Sequence, residues 1–482
     1  MDRWCAAIAV GVISLCAVVS AARADVASDR AGAIVIFPKI LVDTSGRLDT
    51  LIRISNTSDR QVSVNCFYVN ATPKCSLPAR SCFPDPNDCY EALGRCDPIW
   101  QETDFSITIT ARQPVGWLAS EGAGVDCQFL KGVCANDSKR ECDLRDPCPR
   151  GGRCILPPCF PLDDSRATRT GESNAQSRVV PVPEDPFIGE LKCIATDENL
   201  LPVARNVLKG EAVIGRLDVT DSKVTAVDVA GYNALGIPAV IGHNNRDNTL
   251  VLGGPREPDG QFVREVEYEG CPNILILDHF ADGGVDPLIP NLCREDVCTI
   301  SGNPCADDRE CENRCEMDVC TISQTPCEHN VECSPLAGRA RVATDLTLVP
   351  CTQDFRTQAP EDLETAVQFL VFSEFEQRFS TSVRINCFYE SRLSNIETAQ
   401  NERSIFSAGV LGTLTGQTRI RGVDEGRPDR GNTFVGIAEV FRCTGPDFPL
   451  CGLTRPYGLI SSATVNLHFQ GTRAVSDFIY LP

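Results

Sequence analysis

Hydrophobic and polar residues alternate with a period of two wherever the chain is poor in cysteine. In DFSITIT, Phe105, Ile107 and Ile109 fall on one face, with Ser106, Thr108 and Thr110 on the other. In SATVNLHFQG, Ala463, Val465, Leu467 and Phe469 point one way and Thr464, Asn466, His468 and Gln470 the other. Alternation of this kind predicts half-buried strands in sheets with one wet face. Helical spacing is confined to EDLETAVQ and PVARNVLKG, each long enough for a turn or two. The 36 glycines and 32 prolines fit many turns and short strands.

A strand pattern also recurs. VSVNCFY at 62–68 returns as VRINCFY at 383–389, which matches Val62, Val64, Cys66 and Tyr68 with Val383, Ile385, Cys387 and Tyr389 on one strand face. IVIFPKILVD matches LTLVPCTQDF through Pro38 and Pro350, and FIGELKC at 187–193 matches FVGIAEVFRC at 434–443. Matches in one order along the chain predict a duplication. The fold class expected is mainly β: two tandem related β-sandwich (Ig-like) domains, at 31–235 and 341–482, with disulfide-rich loop and linker inserts. Cys193 lies closer to Phe187 than Cys443 does to Phe434, so equivalent disulfides in the two copies do not follow. Segment 236–291 contains the strand-like QFVREVEYEG and NILILDHF, and reads as a β extension of a sandwich or a small connecting domain.

Between the copies lies a tandem repeat of cysteines at 292–335. The spacing C-x4-C-x6-C-x5-C is shared by Cys293, Cys298, Cys305, Cys311 and by Cys315, Cys320, Cys327, Cys333. A looser version occupies an insert at 127–159, with Cys134, Cys142 and Cys148 flanked by Cys127, Cys154 and Cys159. A further set comprises Cys66, Cys75, Cys82, Cys89 and Cys96. The residues between the cassette cysteines are mostly polar, so the segments are too poor in large apolar side chains to hold a shape without covalent staples. Four cysteines allow three pairings, and spacing does not choose among them. Structural zinc would call for C-x2-4-C pairs, often with histidine. The chain has no C-x2-C pair, the Cys311-x3-Cys315 step spans the join between repeats rather than recurring inside them, and His329 is the one histidine to accompany the C-x4-C steps of the cassettes. Disulfide modules are the expectation, with no metal and no cofactor.

The compartment agrees. Met1-Asp2-Arg3 precedes the apolar run CAAIAVGVISLCAVVSA, and ARA precedes Asp25. A basic start, an apolar core and an Ala-x-Ala site predict a signal peptide at 1–24, cleaved near Ala24. Its removal takes Cys5 and Cys16 from the 27 cysteines and leaves an odd number, so at least one thiol is free or bonded to another chain. No later run reaches the roughly 18 apolar residues of a membrane helix. The expected location is secreted, periplasmic or cell-surface. The formal net charge of −20 argues against nucleic acid and anionic membranes as partners, because phosphate binding needs a cationic footprint. The expected partner is an extracellular protein or glycan.

Catalytic signatures are missing from the sequence. There is no G-x-S-x-G elbow, no H-E-x-x-H helix and no G-x-x-x-x-G-K-[ST] phosphate loop. Of the 4 histidines, His243 reads as a turn residue and His468 lies on the polar face of its strand. The best local cluster is LDHFADGGVD, where Asp278, His279, Asp282 and Asp286 are candidates for a calcium or acid–base site. A Gly-Gly turn with solvated acids is the favoured alternative. Asn56, Asn70 and Asn136 begin N-x-[ST] sequons. The function expected is that of a non-catalytic binding, adhesion or scaffold protein. The alternative is a secreted, glycan-active hydrolase whose paired carboxylates come from distant strands and leave no local motif.

Overall fold

A computed structural model describes residues 27–482 apart from 77–81, 83–95, 123–131, 135–136, 143–153, 156–178, 221–222, 241, 244–245, 255–265, 285–292, 299–303, 312–314, 318, 321–339, 358–364, 397–403, 424–432, 445–450, 453–458 and 473–475. The expected signal peptide, Cys89, Cys127, Cys148, Cys159, Cys327, Cys333, Asp286, His329 and Asn136 lie outside the described residues.

The fold is mainly β, built from several antiparallel sheets with almost no helix. An outer sheet joins Lys223–Asn233, Leu208–Thr220, Leu48–Asn56 and Pro114–Leu118 in that order. Against it packs an inner sheet of Leu235–Ile237, Ile34–Val42, Phe187–Thr196, Val62–Asn70 and Gln101–Ile109. A second inner sheet follows, ordered Tyr389–Arg392, Arg341–Pro350, Phe434–Cys443 and Leu459–Asn466. The second outer sheet comprises Arg378–Ile385, Thr365–Ser373, Thr415–Val423, Pro272–Phe280 and His468–Thr472. A small sheet of Thr249–Leu252, Asp477–Tyr480 and Gln353–Asp354 carries the last strand of the chain.

The two inner sheets explain why this is not a pair of Ig-like sandwiches. In a free-standing sandwich each sheet keeps one face in water. Here every residue of IVIFPKILV and of FIGELKCIAT is buried, and RVATDLTLVP and FVGIAEVFRC are nearly so. One apolar cluster runs from Phe37 and Tyr68 through to Val349, Ile437 and Phe441 of the second half. A second, around Leu346, Phe369, Phe406 and Ala438, fills the space below the second outer sheet. The sheets therefore pack face against face in series, as propeller blades do, and the central strands of the inner ones have no wet face. Unbroken apolar runs are the sequence form of a strand covered on both sides.

The repeated heptapeptide occupies unlike places. VSVNCFY lies within one continuous strand, with Val62, Val64, Cys66 and Tyr68 buried and Ser63 half-buried. VRINCFY is broken after Ile385: its first residues end an edge strand of the second outer sheet, and Tyr389 opens a strand of the second inner sheet. Cys193 faces Cys66 across neighbouring strands and bonds to it, whereas Cys443 bonds to Cys451 and leaves Cys387 buried elsewhere. SATVNLHFQG is likewise split at Leu467, and Ala463 and Val465 are exposed instead of facing a core. Neither expected helical stretch is helical where described: TAVQ begins a strand, and the single α-helix among the described residues is Ala408–Leu411. The described strands of segment 236–291 pair with other parts of the chain. The segment donates Pro272–Phe280 to the middle of the second outer sheet and Thr249–Leu252 to the small sheet, and Cys271 bonds to Cys351. DFSITIT follows its expected alternation, with Phe105, Ile107 and Ile109 buried.

Candidate functional site

The first cassette is a hairpin closed by crossed disulfides. Cys293–Arg294 pairs with Val297–Cys298, and Glu295 and Asp296 turn the corner with φ of 52° and 63°. Two successive positive φ values make the reversal that tight two-residue hairpins require. Cys293 bonds to Cys305 and Cys298 to Cys311, at separations of 12 and 13 residues. Asp308 accepts the Cys293 amide at 2.7 Å and Glu310 accepts the Ala306 amide at 2.6 Å, so cassette acids are spent on their own backbone. The second cassette repeats the hairpin, with Cys315–Glu316 against Val319–Cys320 and φ of 51° at Met317. In the insert, Cys134 and Cys154 sit opposite each other in a small sheet with Asp137–Cys142. The sulfurs of Cys298, Cys305 and Cys311 form a buried cluster apart from both large cores. Tied in disulfides, they lack the thiolates that a soft metal needs.

The densest buried polar cluster lies between the two inner sheets. Pro38 has no N–H to give the ladder, and the register against Phe187–Thr196 slips between Phe37 and Ile40. Lys39, in that bulge, reaches the second inner sheet. Its ammonium meets Glu390 at 2.5 Å and also Glu439, and its side chain is 3% exposed. Lys192 meets Glu190 at 2.8 Å, the Pro350 carbonyl at 3.0 Å, and Gln353. Burial works against the Lys39 ammonium, but Glu390, Glu439 and Asp345 outweigh it and raise its pKa. Burial also pushes the Glu439 carboxyl up to about 7, against the pull of Lys39, and raises Glu190 against Lys192. The tyrosine hydroxyl of Tyr232 donates to the Lys39 carbonyl from the first outer sheet. None of these residues belongs to a sequence motif. Their signal is a charge inside an apolar run: Lys39 in IVIFPKILV, Glu190 and Lys192 in FIGELKC, Glu439 in FVGIAEVF.

The LDHFADGGVD cluster disperses. Asp278 is exposed and accepts from Gln417 at 3.0 Å, while His279, next along the strand, is buried on the opposite face. His279 Nε2 lies 2.8 Å from Thr418 Oγ1, its ring packs by Phe406, and burial lowers its pKa. Asp282 accepts the Thr344 amide at 2.9 Å and the Ser394 amide at 3.0 Å; burial pushes its carboxyl up to about 6. It ties loops together and faces no common space with Asp278. His243 is exposed and its amide closes a turn on Val240, and His468 is exposed. Two sequons turn inward: the Asn56 amide donates to the Arg60 and Thr110 carbonyls, and that of Asn70 to Glu184.

A shallow cavity of about 250 Å³ opens between the first outer and second inner sheets, lined by Glu211, Tyr232, Asn233, Thr464 and Asn466. Its one carboxylate, Glu211, is engaged by Arg53 at 2.6 Å. No helix among the described residues is long and apolar enough to cross a membrane. No family model matches the chain, and no curated protein matches it.

Proposed function

We propose that the protein is an exported, non-catalytic binding or scaffold protein, in which a layered β body carries stapled hairpins as presentation elements. One observation carries this reading. Among the described residues Glu439 and Lys39, both strongly perturbed in ionisation, have side chains buried between the inner sheets and lie outside the described cavity. Catalytic acids and bases need such shifts in a cleft. The disulfides agree with an oxidising compartment. The cassette, by contrast, is apart from both cores and presents an exposed turn, as recognition loops on rigid scaffolds do.

The test is to offer the purified chain a panel of extracellular polysaccharides and surface proteins, recording binding and product release together. Saturable binding without turnover is expected. Sustained release of oligosaccharide or peptide would overturn the reading in favour of a hydrolase.

A further inference from the structure

The second outer sheet turns one face to the core and the other to water. In RFSTSVRI the outward positions are Arg378, Ser380, Ser382 and Arg384; in TGQTRIRGV they are Gln417, Arg419 and Arg421. The strand Thr365–Ser373 lies between them, with Gln368, Leu370 and Phe372 outward and half-buried. Register fixes the neighbours: Phe372 lies beside Arg378 and Gln417, Leu370 beside Ser380 and Arg419, Gln368 beside Ser382 and Arg421. The guanidinium groups of Arg378 and Arg419 sit 5.6 and 5.7 Å from the centre of the Phe372 ring. Arg421 donates to Gln368 at 2.7 Å. Asp278 lies next to Gln417 on the neighbouring strand, and Glu374 and Glu376 lie in the turn between Ser373 and Arg378, where Glu374 accepts from Thr415.

We propose that this face binds an anionic polysaccharide; the proposal deepens the binding reading above and rests on it. A cationic array stands out on a chain whose net charge is −20. Planar guanidinium forks engage carboxylate or sulfate through paired hydrogen bonds. Stacking on Phe372 holds two of those forks in place before a ligand arrives, so less side-chain freedom is lost on binding. Strand geometry sets the spacing: same-face residues such as Arg419 and Arg421 lie about 7 Å apart along a strand, and neighbouring strands about 4.8 Å apart. Hydroxyl and amide groups on Ser380, Ser382, Gln368 and Gln417 alternate with the cations. That mixture suits a chain bearing both charges and hydroxyls. A duplex nucleic acid, with a phosphate charge every ~1.7 Å, would meet the repulsion of the whole acidic body. A folded protein partner would need a contiguous apolar centre, whereas Phe372 and Leu370 are half-buried and each is flanked by arginine.

The experiment uses the full chain and titration calorimetry with polygalacturonate, dextran sulfate, neutral dextran and poly-L-glutamate. Binding to one or both anionic polysaccharides is expected, weakening with added salt, with none to dextran. The carboxylate and sulfate arms identify which anion the face prefers. R419Q/R421Q should weaken binding at least about tenfold while leaving the thermal transition in place. R419K/R421K should recover part of it, because charge returns without the fork. R294Q, in the cassette, should bind as the parent does. Unchanged affinity in R419Q/R421Q, or preference for poly-L-glutamate, would overturn the assignment. So would a chain that binds no anionic polysaccharide, and binding to some other member of the broader panel would then leave the general reading standing.

Discussion

The seam between the inner sheets and the first cassette both hold polar chain segments in fixed positions, and they do so by opposite means. At the seam, Lys39, Lys192, Glu190 and Glu439 are buried by the apolar area around them, and no disulfide among the described residues joins one inner sheet to the other. In the cassette there is almost no apolar area, and two disulfides close loops of 12 and 13 residues. Closing loops of that length is worth roughly 3 kcal/mol each in the chain-entropy model. A buried charge cluster is costly to desolvate and is tolerated only with partners in place. The seam is therefore sensitive to single side chains and to pH, and the cassette to reductant and to turn geometry.

The largest effect should come from unpairing the seam. Lys39→Met removes the cation and leaves Glu439, with a fully buried side chain, facing nothing of opposite charge. A loss of about 3–5 kcal/mol is expected, read as a lower denaturant midpoint. K39M/E439L, which removes both charges, should recover most of it. A K39M variant within ~1 kcal/mol of the parent would mean that water reaches the seam, and the contrast with the cassette would lose its basis.

The second effect is on pH dependence. The Glu439 carboxyl is raised to about 7 by burial, above its ordinary 4.5, and Asp282 to about 6, above 3.8. A group raised in the folded state adds stability in full below its unfolded pKa and loses it as pH rises through the folded value. Stability held by these groups should therefore fall between about pH 4 and pH 7. A tenfold difference in acid dissociation between the folded and unfolded chain is worth ~1.4 kcal/mol. His279 acts in the opposite sense, because burial keeps its ring neutral and acid favours the unfolded chain. Denaturant midpoints of the parent and of E439Q across that window isolate the seam. The parent should lose more stability than E439Q on going alkaline, and parallel curves would exclude Glu439 as a source.

How much of this was legible differs between the two regions. Cysteine spacing exposed the cassette as a repeated unit, and the two hairpins share register from Cys293↔Cys298 to Cys315↔Cys320. The pairing was not legible, because any of three connectivities satisfies the spacing. For the body, alternation located strands such as Gln101–Ile109 but not how sheets stack. The match of VSVNCFY to VRINCFY suggested equal roles, yet one copy is a continuous inner strand and the other a corner between two sheets. Local pattern carries the period of a strand and says little about what covers its second face. The seam was foreshadowed only by charges within apolar runs. The arginine face depends on register between strands, which no single segment contains.

A third test removes the cassettes altogether. Replacing 292–335 by a short Gly-Ser linker deletes polar sequence whose described cysteine pairs are local. The main thermal transition should move by only a few degrees, because the deleted segment contributes little apolar burial to the body. Failure to fold would show that cassette cysteines outside the described residues bond into the body.

The smallest effect concerns the cassette turn. Glu295 and Asp296 both adopt positive φ between the paired residues Arg294 and Val297. That conformation is costly for residues with a Cβ and suits Asn-Gly, the pair most favoured in such reversals. The Cys305 amide bonds to the Asp296 carbonyl at 3.0 Å, a backbone contact that survives substitution. E295N/D296G should then stabilise the hairpin by a few tenths to about 1 kcal/mol. The gain should appear as slower amide exchange at Cys298 and Cys305, with the denaturant midpoint of the body unchanged. M317N offers the same relief in the second hairpin, where Met317 has φ of 51° and is 95% exposed, so no packing is lost with its side chain. If either change shifts the body midpoint as K39M does, the cassette is coupled to the cores through contacts beyond its own disulfides. If exchange is unaltered in both, turn strain is not what limits the hairpin, and the crossed disulfides alone set its stability.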